Sequence, residues 1–92
     1  MKNVKVEQIT NSAGNKVKNQ FIISTDDGIY FQSYDSIIAF QSNKKDKIYL
    51  DKLTWDYSTT TGKYRNQFLG EGIAETRKKI ESGKYALINL NN

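Results

Sequence analysis

The spacing of apolar residues changes after Asp51, and that change sets the fold class. Before it, Val4 and Val6 alternate with Lys5 and Glu7, and Val17 to Ser24 carries Phe21, Ile22 and Ile23 at its centre. Gly28 to Ser33, Ile37 to Gln41 and Lys47 to Leu50 are further short apolar runs. Turn residues separate them, notably Asn11-Ser12-Ala13-Gly14-Asn15 and Asp26-Asp27-Gly28, the second a hairpin signal because Asp-Gly readily supplies positive φ angles. After Asp51, Tyr57, Thr61, Tyr64 and Phe68 follow at spacings of four, three and four, with Leu69 beside them, which is one face of a helix. Ser58, Thr59 or Thr60 can cap that helix and Gly70 can end it in a left-handed conformation. The pattern predicts helices near 59–69 and 72–82 and a last strand near 84–90. Strands, then helices, then a closing strand give an α+β fold: a small antiparallel sheet of about five to six strands with two short helices near the C-terminal end packed on one face.

Nothing in the 92 residues divides the chain, so one domain over 1–92 is expected. The longest apolar run, Ile37-Ile38-Ala39-Phe40, is four residues where a spanning helix needs about 20, which predicts no membrane segment. Lys2, Lys5 and Glu7 have no apolar stretch behind them, so no secretory signal is expected.

Chemistry is bounded by what is missing. Without Cys there is no disulfide, thiolate metal site or Cys nucleophile, and without His the usual proton shuttle near neutral pH is gone. The expectation is a non-enzymatic protein with no cofactor and no metal; Tyr, Lys or Asp chemistry is the rival. Ser58-Thr59-Thr60-Thr61-Gly62-Lys63 fails as a phosphate-binding loop, because Tyr57 and Tyr64 stand where Gly and a metal-binding hydroxyl are required. Gly70-Glu71-Gly72 fails as a dinucleotide motif, since Glu75 replaces the third Gly. Asp26 and Asp27 are too few for a Ca²⁺ site and read as a turn, and a domain of this size leaves little room for Asp51 and Asp56 to flank a sugar cleft.

Binding is then the destination. Charge is +4 overall and sits mid-chain: residues 43–65 carry six bases against three acids. Within that stretch, Thr54 to Arg65 combines Trp55 and Tyr57 with the hydroxyls of Thr60 and Thr61 and the cations Lys63 and Arg65, a mixture that suits base stacking, phosphate contact or a protein hot spot. The competing reading is that Trp55, Tyr57, Tyr64 and Phe68 anchor the helix to the sheet. Lys63 and Arg65 flank the inward helix face and are expected to point at least partly to solvent. Lys44 and Lys45 extend the basic stretch. Tyr30 and Phe31 are adjacent on a strand and point to opposite faces, so one of them is expected outside the main core, which makes Tyr30 and Gln32 a second candidate surface.

The strings Asn19-Gln20-Phe21-Ile22-Ile23, Tyr30-Phe31-Gln32-Ser33-Tyr34, Trp55-Asp56-Tyr57-Ser58, Thr60 to Glu71 and Ile80-Glu81-Ser82-Gly83-Lys84-Tyr85 resemble a family of short phage and mobile-element proteins of unknown function. The resemblance covers nearly the whole chain and implies an accessory protein in the cytoplasm of a bacterial host. It implies a host protein as partner, occluded or recruited, with inhibitors of host defence such as anti-CRISPR proteins as the pattern. The net charge of +4 departs from the acidity of DNA mimics. A small nucleic-acid-binding domain is the alternative, no membrane partner is expected, and the oligomeric state is open, a homodimer included.

Overall fold

The computed structural model describes residues 3–44 and 47–92. Six strands, β1 (Val4–Thr10), β2 (Lys16–Thr25), β3 (Gly28–Ser33), β4 (Ser36–Ser42), β5 (Ile48–Asp51) and β6 (Tyr85–Ile88), form one sheet in sequence order. Two helices, α1 (Thr59–Leu69) and α2 (Ile73–Glu81), lie between β5 and β6. The α+β class and the order of elements follow the sequence pattern. One detail of the antiparallel expectation is corrected: β6 runs parallel to β5, pairing Ile48 with Tyr85 and Leu50 with Leu87. Two helices in the connection carry the chain back to the starting end of β5, as a parallel neighbour requires.

Local chemistry accounts for the turns. Asn11 closes the first hairpin by accepting from the Ala13 and Asn15 amides through its side chain. In the second, Asp26 and Asp27 make the turn while Gly28 is already a strand residue, paired with Thr25. Glycine is required there for two reasons. Its φ is +146°, and a Cβ would sit 2.1 Å from the Gln41 carbonyl oxygen and 2.8 Å from the Phe40 ring. The positive φ anticipated for an Asp-Gly turn is thus used for close approach of β4. Asp51 ends β5: its carboxylate accepts from the Leu53 and Thr54 amides, the Thr54 hydroxyl and the Leu90 amide. Beyond the reach of β5, the Asn91 side chain pairs with Ile37 as a strand would, accepting from its amide at 2.7 Å and donating to its carbonyl at 2.8 Å.

Ser58 caps α1 by accepting from the Thr61 amide, and Gly70, at φ +71°, ends it. Both helices cover one face of the sheet. Phe31, Ile38, Ala39 and Leu50 are fully buried beneath Tyr64 and Tyr85, with Trp55, Phe68 and Ile80 packed against them. Phe68 stacks on Phe31, and Thr61 shares a 2.8 Å hydrogen bond with Ser33, so Phe31 and Ser33 mark the covered face.

Candidate interaction face

The Thr54–Arg65 segment proves to be mostly a joint within the fold. Arg65 is 2% exposed, which overturns the expectation that it points to solvent. It donates to the Trp55 carbonyl at 2.8 Å, to Asp56 at 3.0 Å and to the Asn66 side chain at 2.9 Å. Its guanidinium lies 5.3 Å from the Trp55 ring centre, and Arg77 lies 5.8 Å from the same ring while bonding the other oxygen of Asp56. Thr61 is fully buried on Ser33. Tyr57 corrects the helix-face reading in the other direction: it precedes the Ser58 cap, lies outside α1 and is 47% exposed. Thr60 and Lys63 are exposed and Trp55 is half-buried. Tyr57, Ser58, Thr59 and Lys63 line an open hollow of about 660 Å³ at the start of α1. Lys44 is exposed and paired with Asp27 at 3.1 Å, and Lys45 lies outside the described residues.

Tyr30 and Gln32 stand on the opposite side of the sheet, because neighbours of Phe31 and Ser33 on a strand face the other way. There the register assembles one row across all six strands: Val6 opposite Ile23, Ile23 opposite Tyr30, Tyr30 opposite Phe40, Phe40 opposite Tyr49, and Tyr49 opposite Ala86. Flanking rows carry Val4, Thr25, Gly28 and Ser42 on one side and Gln8, Phe21, Gln32 and Ile37 on the other. None of these residues is charged, and none of the row's members belongs to the core cluster under the helices. Tyr30, Phe40 and Tyr49 are half-buried. Their rings run nearly parallel, Tyr30 to Phe40 at 4.3 Å and 20°, Phe40 to Tyr49 at 6.2 Å and 19°. Tyr30 and Phe40 therefore cover each other's π faces and turn edges outward.

The candidates do not converge: Tyr30 and Gln32 share the uncovered face, whereas Trp55, Tyr57, Thr60 and Lys63 lie beside the helices. Phe40, Tyr49, Ile23 and Val6 escaped the sequence reading. The signal for them was present as adjacent apolar pairs in four successive strands, Ile22-Ile23, Tyr30-Phe31, Ala39-Phe40 and Tyr49-Leu50. A strand with apolar residues on both faces needs two covers, and this chain has helices for one.

Glu71, in the turn between the helices, accepts from Lys79 at 2.6 Å, from the Tyr85 hydroxyl at 3.0 Å and from the Thr76 hydroxyl at 2.7 Å. Burial pushes its carboxyl up, but these donors outweigh burial and hold it below the usual carboxylate value. The Glu71 hydrogen bond raises Lys79, and burial followed by the bond to Glu71 raises Tyr85. Asp51 is likewise lowered, its backbone and hydroxyl donors overcoming burial. Every shift moves its group away from neutrality, the opposite of what general acid–base work near pH 7 demands. Among the described residues no three acidic side chains gather to hold a metal, and no helix is long and apolar enough to cross a membrane.

An open, mostly antiparallel sheet with one face clad by helices and the other bare defines an α+β sheet protein with a presented surface. The chain belongs to a family of unknown function, DUF8033, whose family model matches residues 4–84. The family description carries neither a source nor a role in host defence. No curated protein and no solved structure matches the chain.

Proposed function

We propose that this chain is a non-enzymatic binding protein that docks its uncovered sheet face onto a flat, uncharged, apolar surface of another protein, and so occludes or recruits it. The observation that carries this reading is the row Val6–Ile23–Tyr30–Phe40–Tyr49–Ala86 with uncharged flanking residues on β1 to β4. The six residues of the row and the four on each flank, each taking about 4.8 Å by 7 Å of one face, make a patch of roughly 470 Å² before side-chain relief. A patch of that size on a small domain falls in the range where exposed apolar surface is commonly functional. Edge-out rings suit a protein partner, because aromatic edges and aliphatic groups interdigitate across packed sheets. A nucleobase needs an open π face and a phosphate needs a cation, and the centre of this face presents neither.

The phage-like wording of the sequence adds a finer layer, that the partner is a host protein and the outcome inhibition of a defence complex of the CRISPR kind. That layer rests on the resemblance alone.

The test is affinity capture from cells with three matched baits: the native chain, the exposed control Lys63→Glu, and Tyr30→Lys with Tyr49→Lys. The expected result is one stoichiometric protein held by the first two and released by the third, with all three folded by circular dichroism. Retention by the Tyr30/Tyr49 variant and release by Lys63→Glu would move the binding surface to the α1 side.

A further inference from the structure

β1 is one edge of the sheet, paired with β2 on one side and, among the described residues, with no strand on the other. An open edge is a template for another strand, and proteins that avoid such pairing place like charges, prolines or bulges on it. β1 does otherwise. Its centre reads Val4-Lys5-Val6-Glu7-Gln8, with no proline, and its irregularity lies beyond Gln8. Val4 and Val6 extend the uncovered apolar face, 56% and 58% exposed. Lys5 and Glu7 stand on the other face, 74% and 59% exposed and 3.7 Å from each other, an ion pair that pairing of β1 would extend to the second copy.

We propose that β1 pairs antiparallel with β1 of a second copy of this chain, with Val6 on the two-fold axis. The charge pattern selects that occupant. In an antiparallel pair centred on Val6, residues whose numbers are equally far from it on either side meet, so Lys5 of each copy faces Glu7 of the other. Directly opposed residues lie on the same face of the sheet and are close enough to interact. A sequence that would be neutral in effect toward an arbitrary strand thus becomes doubly complementary to itself, as an isologous interface requires. On the other face the two Val6 side chains meet on the axis, and the apolar row of one copy continues into that of its partner. The second edge, β6, has four residues and lacks this symmetry. The inference does not depend on the proposed protein partner, since it uses the edge and not the face.

The test is the self-association constant, measured by sedimentation equilibrium at low salt for the native chain, Lys5→Glu, Glu7→Lys and the double exchange Lys5→Glu with Glu7→Lys. Both positions are exposed, so circular dichroism should show every variant folded. The expected result is a concentration-dependent dimer that either single change weakens roughly tenfold or more, since two attractive pairs become two repulsive ones. The double exchange restores the dimer, and so does an equimolar mixture of the two single variants. A native chain that stays monomeric up to about 1 mM, a dimer indifferent to the single changes, or a double exchange that fails to restore pairing each overturns the proposal. Indifference would transfer the contact to the sheet faces.

Discussion

Arg65 and Asp56 form a 3.0 Å ion pair in which the cation is 2% exposed and the carboxylate remains partly open to solvent. The pair ties the middle of α1 to the loop after β5, with the Trp55 ring packed on the guanidinium. Asp56 keeps solvent and Arg77 when Arg65 is removed, but Arg65→Ala empties a buried site and takes the donor from the Trp55 carbonyl, so it should cost about 2–3 kcal/mol, and Arg65→Glu, which opposes Asp56, more. Lys63→Glu, two residues away and exposed, should stay within about 0.5 kcal/mol of the native chain. Urea midpoints of the three variants check this ordering; an Arg65→Ala protein as stable as Lys63→Glu would contradict it.

Gln20 offers a stabilising change. It is fully buried opposite Ser33, and neither its amide nitrogen nor its carbonyl oxygen has a hydrogen-bond partner. A buried polar group in that state costs about 1–3 kcal/mol. Gln20→Leu or Gln20→Met, of similar volume, should therefore raise stability by about 1 kcal/mol or more, read as a higher thermal midpoint. A lower midpoint for both would show that the Gln20 amide is satisfied in solution.

Acid should unfold the protein through Asp51 and Glu71. Both carboxyls are held below their ordinary values in the folded chain, so between the folded and unfolded values the unfolded chain binds more protons. Their contribution is fully present above about pH 5, and it is lost as pH falls through the ordinary carboxylate range near 4 and below. Chemical denaturation from pH 7 to pH 2 should show that loss. Asp51→Asn should start less stable at neutral pH and lose less on acidification; an equal acid slope would place the titration elsewhere.

How much of this was legible in the sequence differs by level. Period and turn chemistry located all eight elements, and the α1 expectation of 59–69 coincides with Thr59–Leu69 because Ser58 and Gly70 bound it. The direction of β6 was not legible from alternation, which is the same for parallel and antiparallel strands; it follows from the helical crossover before it. Arg65 was misread because a cation beside a helix face is normally solvated, and its burial depends on Trp55 and Asp56 arriving from another segment. Tyr57 was misread because a spacing of four persists across the Ser58 cap at which the helix begins. The aromatic row needed pairing register, which no single strand encodes.

On the proposed reading the uncovered face, and not the α1 side, meets the partner protein. Side-chain footprinting of the captured complex against the free chain addresses it most directly, since radical labelling reads aromatic side chains one by one. The expected result is protection of Tyr30, Phe40 and Tyr49 on binding, with Tyr57 labelled equally in both states. Protection of Tyr57 and Trp55 with an unchanged Tyr30–Phe40–Tyr49 row would contradict it.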